Sequence, residues 1–190
     1  MPTPFDAEIH DCSKCALRAT CRLPVPGDGN FAAGILFVGE APGAEEDVQN
    51  RPFVGRSGKL LTSILESIGV VREKDYYISN VVKCRPPENR DPTPAEIAAC
   101  SPYLVKQVLS MRPKVIVTLG RFSFNFLVPD IAISKARGNA FRIHGMAGIP
   151  LDYSPVVYPV FHPAVALYDP RKRSVIEEDL KRLPAVTSSA

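Results

Sequence analysis

The sequence predicts an α/β fold, specifically a three-layer α/β/α sandwich around a central four-stranded parallel sheet. Short continuous apolar runs alternate along the chain with segments whose apolar residues recur at helical spacing. This alternation is typical of parallel sheets with helices on both faces. Because the runs are continuous rather than alternating with polar residues, they indicate strands buried on both faces. The length of 190 residues fits one domain, so we predict a single domain over residues 1–190.

The predicted strands are the four apolar runs, and turn-forming residues bound them. The first run lies between Gly34 and Gly39, and the third ends at Gly120. Glycine and proline punctuate elements in this way because they terminate regular hydrogen bonding or adopt turn conformations. The strands are predicted over residues 35–38, 76–82, 115–119 and 156–161.

The helices between these strands are predicted from their capping residues. Ser57 can cap a helix over 58–68, where apolar residues recur at helical spacing. Thr93 is followed three residues later by Glu96, a capping box that begins a helix ending near Met111. Two further helices are predicted over 120–126 and 170–183.

The remaining segments lack a regular apolar pattern. Residues 1–34 carry several prolines and glycines and are predicted to be loop-like, with one helical turn near residues 15–21. Residues 131–151 are predicted to be irregular and to include a β-ribbon. Residues 184–190 are predicted to be a frayed tail.

Composition excludes several classes of protein. Apolar residues make up 45% and charged residues 23% of the chain, which excludes a wholly disordered chain, a coiled coil and a collagen-like fibre. No apolar run approaches the roughly 18 residues of a membrane helix. The N-terminus has neither the basic start nor the apolar stretch of a secretory signal. We therefore expect a cytoplasmic protein of prokaryotic type that contacts no membrane.

The five cysteines allow several interpretations. An odd number excludes complete disulfide pairing, and thiols in the cytosol stay reduced. Structural zinc takes four thiolates, often as two close pairs, whereas an iron–sulfur cluster tolerates one close pair with scattered partners. A redox pair would be expected directly after a strand, which this pair does not follow, so that interpretation is less favoured. The interpretation as unrelated buried thiols also remains open. The cysteines are Cys12, Cys15, Cys21, Cys84 and Cys100.

The predicted topology indicates where a ligand would bind. Open parallel sheets bind ligands beyond the carboxyl ends of their strands. Most of the unusual polar residues of the chain lie in three of the four loops at that edge. The four loops are residues 39–53, 83–90, 120–122 and 162–170.

Four sequence blocks in these loops resemble the iron–sulfur uracil-DNA glycosylases, often called family 4. The blocks are GEAPGAEED at 39–47, RPFVGRSGKLL at 51–61, NVVKCRPPENR at 80–90 and HPAVAL at 162–167. The resemblance runs from about Cys12 to Leu183. It implies a three-layer α/β/α fold, and a DNA-repair enzyme that flips uracil out of DNA and hydrolyses its N-glycosidic bond.

The resemblance also implies a 4Fe–4S cluster as cofactor, so that residues 1–34 would be a cluster-binding region. Cys21 falls outside the ligand set and is interpreted as a partly buried free thiol. The implied ligands are Cys12, Cys15, Cys84 and Cys100.

Two side chains are predicted to bind the base. In the resembled family the residue matching Phe53 stacks on uracil, and an aromatic face offsets part of the cost of unstacking. The amide of Asn80 can accept from uracil N3–H and donate to O4, a pattern that cytosine reverses. The backbone of Gly39, Glu40 and Ala41 should also contact the base.

The chemistry is assigned to His162 and to two carboxylates. His162 could donate to uracil O2 as the glycosidic electrons move onto the departing ring. Ala41 occupies the position of the water-orienting Asp of other glycosylases. Glu40 and Glu46 are therefore candidates for positioning water or stabilising the cationic sugar. Gly43 stands where other branches carry a large residue that excludes thymine, so the rejection of thymine is open.

Contacts to the DNA backbone need donors and positive charge. Arg56 and Ser57, at a predicted helix start, suit a phosphate, as does Arg85. Basic residues at Lys83, Arg90, 135–142 and 171–173 could extend this surface. Residues 166–168 could supply a wedge that fills the vacated stack.

The expected partner is single- or double-stranded DNA containing uracil, bound by a monomer. The alternatives are a glycosylase for other deaminated bases and a non-catalytic iron–sulfur module that binds nucleic acid or nucleotide.

Overall fold

The computed structural model describes residues 3–190. Six strands form one sheet, and two short strands form a separate antiparallel ribbon. The strands are β1 (Asp28–Gly29), β2 (Ile35–Gly39), β3 (Tyr76–Asn80), β4 (Val115–Leu119), β5 (Phe141–Arg142), β6 (Gly145–Met146), β7 (Ile149–Pro150) and β8 (Val156–Val160).

The main sheet has the order β1–β3–β2–β4–β8–β5. The four inner strands are the four predicted ones, and they pair in parallel as predicted. The sheet has six strands rather than the predicted four, because β1 and β5 add antiparallel pairs at the two edges. Each edge strand has only two residues, too few to leave a recognisable apolar pattern in the sequence. The predicted ribbon within 131–151 is present as β6 and β7.

The helices cover both faces of the sheet. Short 3-10 turns occur at Ala16–Ala19 and Pro87–Asn89. The α-helices are α1 (Asp6–His10), α2 (Ala44–Gln49), α3 (Arg56–Ser67), α4 (Arg72–Asp75), α5 (Pro94–Met111), α6 (Arg121–Leu127), α7 (Ile133–Ala136), α8 (Val165–Tyr168), α9 (Arg171–Lys181) and α10 (Leu183–Ser188).

The short helices α2, α4, α7 and α8 are not among the predicted ones, and three further helices also differ from the predictions. The N-terminal region is not all loop, because α1 forms there. Helix α3 begins two residues early and is capped by Gly55 rather than by Ser57. The expected frayed tail is helical through Ser188, and α10 is anchored by the fully buried Leu183. The α1 and α10 differences share one cause, because tertiary packing orders short segments whose own sequence signal is weak.

The capping box at the start of α5 is confirmed. The Glu96 backbone N–H donates to Thr93 Oγ1 at 3.3 Å, and the Thr93 N–H donates to Glu96 Oε2 at 2.8 Å. Both bonds satisfy donors that the first helical turn leaves unpaired.

Alternate residues of the central strands belong to two separate cores. In β2, Leu36 packs into one core and Phe37 into the other. In β4, Ile116 and Val117 divide in the same way. Because successive side chains of a strand point to opposite faces, this division shows an apolar layer on each face and confirms the three-layer arrangement. Among residues 3–190, no helix combines the length and apolar character needed to cross a bilayer.

Candidate active site

A cavity of about 330 Å³ opens at the carboxyl edge of the sheet. We call it the base pocket. It brings together most of the side chains that the sequence assigned to base binding, to catalysis and to the phosphate contact at a helix start. Its lining residues are Glu40, Ala41, Pro42, Gly43, Glu46, Phe53, Ser57, Asn80, Pro86, Asn89, Arg90, His162 and Ala164.

Asn80 lies at the floor of the base pocket with an unpaired amide oxygen. It ends β3, directly beside Gly39 in the parallel pairing with β2. Its side chain is buried, and no hydrogen-bond partner for Oδ1 is present among residues 3–190. A Cβ at Gly39 would overlap Asn80 Oδ1 and the Phe53 ring, so a glycine is required for this approach. An unpaired buried amide costs about 1–3 kcal/mol, which a ligand could recover.

Phe53 forms a wall of the pocket from a strained backbone conformation. Its φ is +54°, a region that non-glycine residues seldom occupy. Gly58 packs so closely that a Cβ there would overlap the Phe53 carbonyl. The buried Arg72 donates to the carbonyl oxygens of Pro52 at 2.9 Å and Phe53 at 3.0 Å. Arg72 therefore fixes the loop that presents the aromatic ring.

His162 faces Phe53 across the pocket, with the ring centroids 5.8 Å apart and a tilt of 34°. Its Nδ1 accepts a hydrogen bond from the Ala164 backbone N–H at 3.2 Å. Burial lowers the pKa of His162 to about 4, although the nearby Glu46 carboxylate acts in the opposite direction. A neutral imidazole that accepts at Nδ1 carries its proton on Nε2. His162 is therefore a neutral Nε2–H donor at physiological pH.

The two candidate carboxylates differ in their surroundings. Glu46 Oε1 accepts from the backbone N–H groups of Val54 at 2.9 Å and Gly55 at 2.8 Å. Glu46 is thereby committed in part to holding the loop that follows Phe53. Burial raises the pKa of Glu40 to about 7, with Asp91 acting in the same direction and Arg121 against it. At neutral pH Glu40 is thus poised between its acid and base forms.

The predicted DNA-contacting residues lie near the mouth of the pocket. Ser57 lines the pocket and Arg56 is exposed at the start of α3. Arg85 Nε donates to Asn89 Oδ1 at 2.8 Å. This contact links the half-buried Arg85 to a residue of the pocket wall.

Part of the expected basic surface is occupied by other interactions. Arg137 forms an ion pair with the fully buried carboxylate of Asp179 at 2.7 Å. Arg171 pairs with Asp169, and Arg173 pairs with Glu177. Lys83, which the sequence groups with the DNA contacts, is buried instead. The sequence shows basic residues but not the acidic residues that other elements bring against them.

The four cysteines that the resemblance selects line one small enclosed cavity, which we call the cysteine cavity. Apolar side chains, among them Ile9 and Leu17, complete its wall. The four thiols border an enclosed space and do not converge on one coordination point. Within residues 3–190, no three His, Cys, Asp or Glu side chains meet closely enough to hold a single metal ion. The cysteines of the wall are Cys12, Cys15, Cys84 and Cys100.

Cys21 is a fifth thiol close to this cavity. It is buried, and its Sγ lies 2.7 Å from Cys84 Sγ. It does not line the cysteine cavity. The structure thus places Cys21 behind one of the four wall cysteines.

Sequence reasoning missed Asn89 and Arg72 of this region and assigned Lys83 to the DNA surface rather than to the protein interior. Asn89 lies in a loop that the carboxyl-end rule selects, so its place there could have been found. Nothing in the sequence marks Arg72 or Lys83, because a buried cation is recognised only from the elements packed around it. Both contact the backbone of a base-pocket residue, Arg72 at Phe53 and Lys83 at Asn80.

Comparison with known proteins is consistent with this geometry. The sequence profile described as the Uracil DNA glycosylase superfamily matches residues 26–183. Three similar curated proteins are each named type-4 uracil-DNA glycosylase. That of Saccharolobus solfataricus is 45% identical over 189 residues, covering 96% of this chain and 84% of the relative. That of Archaeoglobus fulgidus is 46% identical, covering 93% and 88%. That of Sulfurisphaera tokodaii is 44% identical, covering 93% and 80%.

Proposed function

The chain belongs to the uracil DNA glycosylase superfamily, and from this premise we propose how its residues excise uracil from DNA. The enzyme is a DNA-repair hydrolase that acts on the N-glycosidic bond of uracil in DNA and leaves an abasic site. The site roles below rest on the geometry of the base pocket. We expect it to act as a monomer in the cytoplasm, where prokaryotic DNA lies.

The observation that carries the proposal is the unpaired amide of Asn80 beside the Phe53 ring. A flipped uracil stacked on Phe53 would present its N3–H and O4 to that amide. The amide can accept from the first and donate to the second. Because cytosine presents the opposite pattern, the same side chain favours one base over the other.

The proposed reaction breaks the bond between the sugar C1′ and uracil N1. The bonding electrons move onto the uracil ring, where charge develops at O2, and His162 Nε2–H donates to that oxygen. A neutral donor suits this role because it stabilises the anion without transferring its proton. Water supplies the oxygen that bonds to C1′, and its proton passes to a carboxylate. Glu40, with its pKa of about 7, is proposed as this base, because Glu46 Oε1 already accepts from the loop that follows Phe53.

Contacts beyond the base would come from the pocket mouth. Arg56, Ser57 and Arg85 are proposed to bind phosphates, since backbone N–H groups and cations at a helix start favour anions. Leu167 and Tyr168, in α8 just after His162, are exposed apolar side chains. They are proposed to fill the space that the flipped base leaves.

We further propose that the cysteine cavity holds a 4Fe–4S cluster on its four wall cysteines. Such clusters take four thiolates. Burial raises the pKa of the Cys84 and Cys100 thiols, so thiolates there need a compensating positive charge, which iron would supply. The backbone N–H of Lys83 already donates to Cys100 Sγ at 3.1 Å. When bound, the cluster would join the N-terminal segment to the loop after β3 and to α5.

Spectroscopy and iron analysis test the cofactor. Protein purified without oxygen should be brown and carry about four irons per chain. Serine at Cys84 or Cys100 should bleach it. Cys21→Ser is the matched control and should keep the colour, since Cys21 lies outside the cavity wall. Colourless protein with one bound zinc would contradict the cluster.

A single gel assay tests the function. Oligonucleotides carrying one uracil are incubated with the protein, and alkali then cleaves any abasic site. Cleavage at uracil alone is the expected result. Cleavage mainly at hypoxanthine or xanthine would indicate a glycosylase for other deaminated bases, and binding without cleavage would indicate a non-catalytic module.

A further inference from the structure

Lys83 is a buried lysine for which the proposed reaction has no use. Its side chain is 1% exposed. Its Nζ donates to Ser79 Oγ at 2.7 Å, to the Asn80 carbonyl oxygen at 2.7 Å and to Gln107 Oε1 at 2.9 Å. None of these three acceptors is a carboxylate. A buried ammonium whose hydrogen-bond acceptors are all neutral is costly. Lys83 also borders the cysteine cavity, but its Nζ bonds point to the end of β3 and to α5.

The bond to Asn80 is made at the carboxyl end of β3, where the strand stops and the loop begins. Parallel pairing with β2 ends at the Gly39–Asn80 step. Beyond that step the backbone is held by bonds from Val81 N–H to Gly39 O and from Val82 N–H to Glu40 O, both 3.0 Å. The Lys83 ammonium adds a hydrogen bond to the carbonyl oxygen of Asn80, whose side chain lines the base pocket.

The groups that bind the Lys83 ammonium are themselves fixed by residues that lie away from the base pocket. Gln107 lies in α5, and its Nε2 donates to the Pro26 carbonyl oxygen at 3.0 Å. Ser79 Oγ donates to the same carbonyl at 2.6 Å. The Lys83 backbone N–H is tied to Cys100 of the cysteine cavity. Three segments of the chain thus fix the position of the ammonium.

We infer that Lys83 is a positioning residue that fixes the Asn80 amide for reading uracil. The inference rests on the proposed function, because it assigns Lys83 an action through Asn80. It follows that the lysine contributes to the rate only while the Asn80 amide is present. Its contribution to binding of undamaged DNA should be absent, since its ammonium is enclosed by protein.

A double-mutant cycle tests this dependence. Lys83→Met, Asn80→Ala and the double variant are compared with the unmodified protein in single-turnover excision of uracil. Lys83→Met alone should slow excision by up to about 100-fold, the effect of misplacing a reacting group by about 1 Å. In the Asn80→Ala background the same substitution should cause no further loss. Equal slowing in both backgrounds would overturn the inference, because a structural defect would act regardless of Asn80.

A second measurement separates positioning from DNA binding. The dissociation constant for uracil-free duplex should be unchanged in Lys83→Met. A loss of affinity equal to the loss of rate would also overturn the inference. Lys181→Met removes an exposed lysine of α9 and serves as the matched control, with wild-type rate and affinity.

A milder variant keeps the test decisive if Lys83→Met does not fold. Ser79→Ala removes one acceptor of the ammonium and should slow excision several-fold only when Asn80 is intact. If Lys83→Met does not fold, a wild-type rate in Ser79→Ala would by itself refute the positioning role. Failure of the unmodified protein to excise uracil would instead refute the proposed function, so the two failures are distinguishable.

Discussion

The base pocket and the cysteine cavity lie on either side of a five-residue segment, 80–84, yet they are built in opposite ways. The base pocket is open at the carboxyl edge of the sheet and keeps the polar oxygen of Asn80 unpaired. The cysteine cavity is small and enclosed, and it gathers thiols from distant parts of the chain among apolar and basic residues. One region is arranged to receive a polar planar ligand and the other to enclose a group bound by sulfur.

The difference shows which parts of the molecule are organised by protein contacts alone. Arg72 holds the Phe53 loop and Lys83 holds the end of β3 through direct hydrogen bonds. The base pocket is therefore formed in advance of ligand binding, which limits the reorganisation that the reaction requires. The wall of the cysteine cavity joins the N-terminal segment to the loop after β3 and to α5, through buried apolar residues such as Ile9 and Leu17 as well as through its thiols. A bound metal group would add a further link between these segments.

The largest effect is expected from Asn80→Asp, which changes only the base pocket. The substitution removes the donor toward uracil O4 and offers an acceptor toward cytosine N4. Uracil excision should fall by about 10⁴-fold, because sites that hydrogen-bond a substrate discriminate by that order. Weak cytosine excision from single-stranded or mismatched DNA should appear, measured by alkaline cleavage at cytosine.

Asn80→Ala is the matched control for this exchange. It removes the same amide but supplies no complementary edge, so it should lose most uracil excision, keeping only a measurable residual rate, and gain none at cytosine. Iron content should be unchanged in both variants if the two regions are independent. Uracil excision at the wild-type rate by Asn80→Asp would show that Asn80 does not read the base.

The second largest effect is expected from His162→Ala. Loss of a donor to a developing anion costs about 10²–10³ in rate, while the affinity for DNA should change little. Single-turnover kinetics and equilibrium binding measured on the same uracil-containing duplex check this. Equal losses in rate and affinity would make His162 a binding residue instead.

A smaller and graded effect is expected from pH. If Glu40 must be ionised to accept a proton, the rate should be constant well above its pKa of about 7 and fall about tenfold per pH unit below it. The pKa of His162, about 4, keeps that residue neutral across this window. Glu40→Gln should abolish the slope and Glu46→Gln should retain it. The reverse result would assign the base to Glu46.

The smallest effect is expected on the salt dependence of DNA binding. Arg85 connects the two regions, because it follows Cys84 in the chain and contacts Asn89 of the base pocket. Binding of uracil-free duplex should weaken as salt rises. Arg85→Ala or Arg56→Ala should each reduce the slope of log K against log salt by about one. Arg173, which is paired with Glu177, provides the control, since Arg173→Ala should leave the slope unchanged. No change in either test variant would place the DNA on another surface.

Much of the site could be predicted because its residues lie where strands end. The carboxyl-end rule, applied to the apolar runs alone, selects the loops that carry Glu40, Phe53 and His162. Asn80 lies near the end of the predicted run 76–82 and is the last residue of the observed strand β3. The resemblance supplies their proposed roles and the set of four cysteines. The strained backbone of Phe53 and the tautomer of His162 could not be predicted, since both depend on contacts with residues outside those motifs.

Local sequence patterns are sufficient to specify the four inner strands, the capped helix α5 and the position of the site. These patterns are continuous apolar runs, a capping box and loops at strand ends. The two edge strands, the helical C-terminus and the burial of Arg72 and Lys83 depend instead on the folded arrangement of the whole chain. The pairing of particular arginines with acidic residues also depends on this arrangement. The physical reason is that burial and charge pairing depend on residues far apart in the chain, whose approach no local pattern records.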